Sequence, residues 1–201
     1  MTKARPLLRV VKVGGSLLPW PELPQALKRW LATEPAAINV LLCGGGTFAD
    51  GIREASRAHA IREEAAHWLA IDCLTVTARL LATICRLELV SDYTRMRDRV
   101  RATEPSLVVC DARDFLINHE PSLPGNLLPP DWTATSDSIA ARLAEAMQFD
   151  EVVLLKSRKP PAIRLAALAA AGYVDERFAI ASAGIPAVRV ICLRDEAARS
   201  L

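Results

Sequence analysis

Short apolar runs alternate with longer amphipathic ones along this chain. Leu7 to Val13 is nearly all aliphatic and ends in Gly14-Gly15, which predicts a buried strand. Pro21 to Ala32 sets Leu23, Leu27, Trp30 and Leu31 on one face, which predicts a helix. Ile38 to Leu42 predicts a second strand, ended by Gly44-Gly45-Gly46. A helix is expected from about Thr47, with Thr47 as its N-cap. Ile61 to Cys85 is long, Ala-rich and apolar, and predicts one buried helix or a kinked pair. Leu87 to Val90 and Leu107 to Cys110 predict short strands. Asn118 to Asp131 carries Pro121, Pro124, Gly125, Pro129 and Pro130, and predicts a long functional loop. Thr135 to Met147 predicts a helix that opens on a Thr-Ser-Asp-Ser cap cluster. Glu151 to Leu155 predicts a strand, Lys156 to Pro161 a basic loop, Ile163 to Ala171 a short helix and Val188 to Leu193 a last strand. Strands that alternate with helices in this way imply an α/β fold with a mostly parallel sheet.

Composition narrows the picture. The 201 residues suit a single domain spanning 1–201, and the 51% apolar content supplies its core. A net charge of +2 gives no global pull toward nucleic acid or an anionic membrane. Arg95, Arg97, Arg99 and Arg101 form a basic stretch, but Met96 and Val100 lie four apart within it, so it reads as a solvated helix face. The first residues show no secretory signal, and no apolar run approaches the roughly 20 residues of a membrane span. The five cysteines Cys43, Cys73, Cys85, Cys110 and Cys192 contain no CxxC pair and sit in apolar runs. Buried reduced thiols in a cytoplasmic protein are expected.

The candidate chemistry gathers at strand ends. Glycine clusters follow the first two strands, at Gly14-Gly15-Ser16 and at Gly44-Gly45-Gly46. Each is either a tight strand-to-helix turn or a place where backbone N–H groups meet an anion. Neither is a GxxxxGK[ST] or GxGxxG loop. Lys12 stands inside an apolar strand, where a bare ammonium is costly. It either snorkels to the surface or reaches a phosphate at the strand end. Asp137 falls in a first helical turn, where it can cap the helix, orient lysines or hold magnesium. Lys156 closes its strand and points toward the same carboxyl edge. Lys12, Lys156 and Asp137 together would form the electrostatic clamp of phosphoryl transfer. His67, between Ala66 and Trp68, is either a satisfied core residue or part of an acceptor pocket. His59 and His119 are expected at the surface. No Ser/His/Asp order or HExxH helix argues for hydrolysis.

Three segments carry a resemblance. Lys12-Val13-Gly14-Gly15-Ser16-Leu17, Gly44-Gly45-Gly46-Thr47-Phe48-Ala49 and Thr135-Ser136-Asp137-Ser138-Ile139-Ala140 resemble the amino acid kinase superfamily, which includes acetylglutamate kinase, aspartokinase and uridylate kinase. Ala66-His67-Trp68-Leu69-Ala70-Ile71-Asp72-Cys73, Trp132 to Ser138, and Val174-Asp175-Glu176-Arg177-Phe178 are similar to the small kinases of methanofuran biosynthesis. Those kinases convert aminomethylfuranmethyl phosphate to its diphosphate with ATP and magnesium.

The resemblance implies a three-layer αβα sandwich and an ATP-dependent kinase. Lys12 would stabilise the migrating phosphoryl group, and Asp137 would organise Lys12 and Lys156. Gly14, Gly15, Ser16, Gly44, Gly45, Gly46 and Ser157 would hold phosphates or nucleotide. Thr47, Phe48, His67, Trp132, Thr135 and Ser136 would meet a small phosphate or carboxylate acceptor. ATP and Mg2+ are the expected cofactors, and a homo-oligomer the expected assembly. Lys156-Ser157-Arg158-Lys159-Pro160-Pro161 departs from the superfamily's Thr-Asp-x-x-Gly nucleotide segment. That departure leaves open a non-catalytic binding module that lost the donor site; a kinase of an amino acid or nucleotide is a third reading, against which the missing segment argues.

Overall fold

A computed structural model describes residues 5–199. Met1 to Ala4, where the N-terminal reading began, lie outside the described residues. Six strands form one sheet: β1 Leu7–Val13, β2 Ala37–Cys43, β3 Leu89–Val90, β4 Ser106–Cys110, β5 Glu151–Lys156 and β6 Ala187–Cys192. Their order is β3-β4-β2-β1-β5-β6 and every pairing is parallel. The helices are α1 Leu23–Thr33, α2 Gly46–Ala58, α3 Glu63–Cys85, α4 Tyr93–Val100, α5 Ser136–Met147, α6 Leu165–Ala170, α7 Phe178–Ala181 and α8 Leu193–Arg199.

The helices cover both faces of the sheet, giving the αβα sandwich. On one face Val10, Val40, Val108, Val152 and Leu154 pack against side chains of α4, α5 and α7. On the other, Val11, Val13, Leu41, Val153 and Leu155 pack against Leu23, Leu27 and Trp30 of α1 and Leu193 of α8. Strands buried on both faces explain the unbroken aliphatic runs. The order reverses at β1, with β2 to one side and β5 to the other. Such a switch point opens a crevice at the carboxyl ends of the strands.

Several boundaries differ from the sequence reading. The second glycine cluster does not yield to a Thr47 cap: α2 begins at Gly46, its N-cap is Gly45, and Thr47 is exposed in the first turn. Gly46 takes φ +53°, a conformation open to glycine, so the helix starts earlier than a capping hydroxyl suggests. The long apolar segment is one helix, starting at Glu63. By length and composition α3 could span a membrane, contrary to the reading of the run. Here Ile71, Leu74, Ala78 and Leu81 of α3 are buried in the sheet's two cores. The proline-rich segment is not wholly loop: a π-helix covers Phe115–His119 and a 3₁₀ turn Glu120–Ser122. Arg142 of α5, fully buried, fastens it by bonds to Glu120 and to the carbonyls of Leu123 and Pro124. The short α7 and α8 were not anticipated.

Candidate functional site

Strand parity places the site. Side chains alternate across a strand, so Val10 and Lys12 share one face of β1, as Val152, Leu154 and Lys156 share one face of β5. Because β1 and β5 pair in parallel, with Lys12 opposite Leu154, both lysines emerge on the α5 face near the carboxyl edge. Asp137, in the first turn of α5, meets them there. Lys12 Nζ lies 2.8 Å from Asp137 Oδ1, and Lys156 Nζ donates to Asp137 Oδ2 at 2.6 Å. A third contact, from Lys156 Nζ to the Tyr173 carbonyl at 2.8 Å, fixes the second lysine.

Lys12 and Asp137 are buried, and Lys156 is partly so. Lys12 is 5% exposed and Asp137 3%. Burial works to raise the Asp137 carboxyl, but Lys12 and Lys156 outweigh it and hold the group below the usual carboxylate range. Burial first, and then the like charge of Lys12, pull Lys156 down to about 8, against the opposing pull of Asp137 and Asp175. Two ammonium groups thus bond one carboxylate, with the Asp175 charge behind Lys156, and their remaining donors could meet an incoming phosphate. Each oxygen of Asp137 faces a lysine, Oδ2 in a hydrogen bond and Oδ1 in an ion pair outside hydrogen-bond geometry, and among the described residues no three His, Cys, Asp or Glu side chains gather. Asp137 fits an organiser of the two lysines.

The two glycine turns interlock beside the cluster. A Cβ on Gly15 would sit 2.2 Å from the Gly46 nitrogen, so each turn is bare where it meets the other. A Cβ on Gly44 would fall 3.2 Å from Lys12 Cε and 3.1 Å from Ser136 Oγ. Glycine at 44 thus leaves a channel for the lysine stem. Gly14 N continues the ladder to Leu155 O at 2.8 Å, and Ser16 and Ser157 hydroxyls meet at 2.8 Å. The turns after β1 and β5 are thereby joined on the side away from α2.

A cleft opens next to Ser136. Gly45, Ala49 and Arg53 of α2 line one wall, and His67, Ile71 and Leu74 of α3 another; Trp132 and Thr135 complete it. Arg53 lies over the Trp132 ring, its guanidinium carbon 4.5 Å from the centroid. Arg53 was not anticipated; it sits on α2 at i, i+4, i+8 spacing from Gly45 and Ala49. The buried His67 ring meets the Asp131 carbonyl at Nδ1, 3.0 Å away, and stands edge-on to Trp68. Burial lowers its pKa against the pull of Asp131, which favours the neutral ring. Thr47 and Phe48 do not line this cleft; both are exposed on the first turn of α2.

The Thr-Ser-Asp-Ser cluster divides its work. Thr135 is the N-cap of α5, yet its hydroxyl makes no cap bond within the helix. Instead Asp175, forty residues on, accepts from Thr135 N and Oγ1 and from Ser138 N and Oγ. Ser136 faces Gly44, and Asp137 faces the lysines. The other predicted groups fall where surface or core chemistry places them. His59 is exposed, while His119 is half-buried beside Asp114 and the Tyr93 ring. Arg95 and Arg99 pair with Glu88. Cys43, Cys110 and Cys192 are buried, and Cys73 and Cys85 partly so. Burial drives the Cys43 thiol up to about 11 and the Cys110 thiol up to about 12.

No family model matches the chain. It is 28% identical over 148 residues to the [5-(aminomethyl)furan-3-yl]methyl phosphate kinase of Methanocaldococcus jannaschii; the match covers 73% of this chain and 64% of that protein. UMP kinase from Ureaplasma parvum superposes with a TM-score of 0.65 at 12% identity, covering 94% of this chain and 91% of its own. Carbamate kinase from Giardia lamblia, bound to AMP-PNP, superposes with a TM-score of 0.57 at 12% identity, covering 99% and 96%.

Proposed function

Given that the chain has the amino acid kinase fold, we propose that it is an ATP-dependent kinase of a small anionic acceptor. The acceptor we favour is an aminomethylfuran phosphate monoester, converted to its diphosphate in the making of a methanofuran-type one-carbon cofactor. The observation that carries the reading is the pair of buried lysines sharing the single carboxylate of Asp137 at the switch point of the sheet. Positioning and charge neutralisation supply most of phosphoryl-transfer catalysis, and a phosphate nucleophile needs no general base.

The residues then divide as follows. Lys12 neutralises the phosphoryl group in flight, and Lys156 the donor phosphates. The interlocked turns at Gly14-Gly15 and Gly44-Gly45-Gly46 present backbone N–H groups at close range. ATP would lie on the side of Ser16 and Ser157, which the hydroxyl contact between the two joins. Magnesium, carried on the nucleotide, would screen its phosphates; the described residues give it no dedicated cluster. The acceptor would occupy the cleft, its anion against Arg53 and its flat body between Trp132 and His67. Transfer in line across the glycine turns follows from that placement.

The 28% relative acts on such a furan phosphate, and the motifs around His67, Trp132 and Asp175 support the same acceptor here. We place the enzyme in the cytoplasm, in keeping with its unpaired cysteines. We take it to be a homo-oligomer, because Leu69, Val76 and Leu80 leave an exposed apolar row on α3. The test is ADP release from ATP and Mg2+ with a panel of small phosphates and carboxylates, the furan phosphate among them. Turnover with none of them would reject the kinase.

A second reading, a non-catalytic binding module that kept the fold and lost the donor site, is favoured by the 156–161 segment, which has neither acid nor glycine, and by Lys159 pairing with Asp195 at 3.1 Å. Calorimetry with ATP and Mg2+ discriminates: no heat and no thermal shift with any nucleotide would favour it over the first.

A further inference from the structure

The carboxylate of Asp175 is saturated by donors from the start of α5. Oδ2 accepts from Thr135 N at 2.9 Å, Thr135 Oγ1 at 2.8 Å and Ser138 N at 3.0 Å, and Oδ1 accepts from the Ser138 hydroxyl. These donors flank Asp137 on both sides in sequence. The chain around Asp175 is itself tied at two more points. Two residues earlier, the Tyr173 carbonyl accepts from Lys156 Nζ at 2.8 Å. Two residues later, Arg177 N donates to the Thr133 carbonyl at 3.2 Å. One short strap therefore holds Lys156, the first turn of α5 and the segment entering that turn. A rotation of the turn would move Asp137 relative to both lysines. Asp175 also stands near enough to favour the charged form of Lys156, beside Asp137 and against the repulsion from Lys12.

We propose that Asp175 is a positioning residue: it clamps the first turn of α5 so that Asp137 stays between Lys12 and Lys156, and it supplies a second negative charge behind the cluster. The catalytic consequence rests on the kinase reading above, while the clamp itself does not. A helix cap that acted only on stability would lower the melting temperature and leave the folded enzyme's turnover alone. A clamp on catalytic geometry lowers kcat with little change in binding, because small misplacements cost rate before affinity.

The experiment compares Asp175→Asn, Asp175→Ala and the Thr135→Ala/Ser138→Ala double variant with the unaltered chain. Three readouts are taken: melting temperature, kcat and KM for ATP and acceptor, and the pH midpoint of Lys156 acylation by acetic anhydride, read by mass spectrometry. The expected result for Asp175→Asn is a kcat fall of about 100-fold with both KM values within about threefold, and a Lys156 midpoint shifted down. The groups facing Lys156 (Lys12, Asp137, Asp175 and the Tyr173 ring) make that direction specific, since only a negative charge has been removed. Should Asp175→Ala fail to fold, Asp175→Asn decides. A kcat per folded molecule within twofold, with an unmoved midpoint, overturns the proposal. If the unaltered chain turns over no acceptor, the kinase reading fails, and the acylation midpoint alone decides whether Asp175 governs the cluster.

Discussion

Strands β1 and β5 each carry charges into the core at both ends, and the two ends are built differently. At the amino edge, on the α1 face, Arg9 and Glu151 sit opposite each other in register and are bonded. Arg189 joins Glu151 and reaches Glu34 at 2.6 Å, and Asn39 accepts from Arg9 at 3.1 Å. Two guanidinium groups face two carboxylates, so this network is neutral and closed. At the carboxyl edge, on the α5 face, two ammonium groups bond one carboxylate, Asp137, while Asp175 stands behind them with its oxygens engaged by the start of α5. In the first cluster the cations and their bonded carboxylates match two to two; in the second two lysines bond one carboxylate, and on the kinase reading the remaining donors serve a visiting anion. Charge balance separates a structural buried network from a working one where burial cannot, since Arg9 at 1% and Lys12 at 5% are equally hidden.

The comparison breaks if the two ends respond alike to mutation. Lys12→Met is expected to cut kcat by about 1,000-fold, about 4 kcal/mol of barrier, as for loss of a preorganised charge donor. Its melting temperature should hold or rise, because Asp137 and Lys156 then balance one to one. Glu151→Gln should do the reverse: a loss of about 3 kcal/mol in urea unfolding from the broken buried network, with kcat of the folded protein unchanged. A large activity loss in Glu151→Gln, or unfolding of Lys12→Met, would erase the distinction.

Anion binding sharpens it next. Inorganic pyrophosphate or ATP at about 100 times its dissociation constant should stabilise the unaltered chain by about 2.7 kcal/mol, read as a thermal shift. The shift should vanish in Lys12→Met and persist in Glu151→Gln.

The smallest effect is the response to pH, and its sign differs between the two ends. Burial and Lys12 set Lys156 at about 8, below its unfolded value of 10.5. The folded state therefore sheds this proton first, and the penalty for the charged lysine disappears as pH rises between those values. Stability gains there while activity falls above about pH 8. Glu151 goes the other way: burial raises it, but Arg189 and Arg9 prevail and hold it below 4.5. Its contribution is present above that value and is lost as pH falls through the lower folded one. Melting curves of Lys156→Met and Glu151→Gln across pH would show the alkaline limb altered in one and the acid limb in the other.

Much of this was readable in the chain. Short aliphatic runs, two of them ended by glycine, located five of the strands closely, and the places of Lys12 and Lys156 near the carboxyl ends of their strands pointed to one edge of the sheet. Arg9 and Glu151 sent the same signal, a charge in or beside an apolar run, but toward the amino ends of their strands, away from the edge where ligands bind in such sheets. Arg53 was hidden because it lies on a polar helix face and gains meaning only when Trp132 folds beneath it. Asp175 was visible as part of a motif, but its partners lie 37 and 40 residues away, and pairing at that range is set by tertiary packing. The Thr47 cap failed because Gly46 starts the helix with a backbone angle that no capping rule anticipates.

The interlocked turns bear on how this sequence can vary. Codon 15 admits no β-carbon, since the nearest atom it would strike is the backbone nitrogen of residue 46, which cannot swing aside as a flexible side chain would. Codons 51 and 184 also specify glycine, yet nothing stands within 4 Å of a β-carbon there. In a randomised library selected for growth, the first position would stay fixed and the other two would drift.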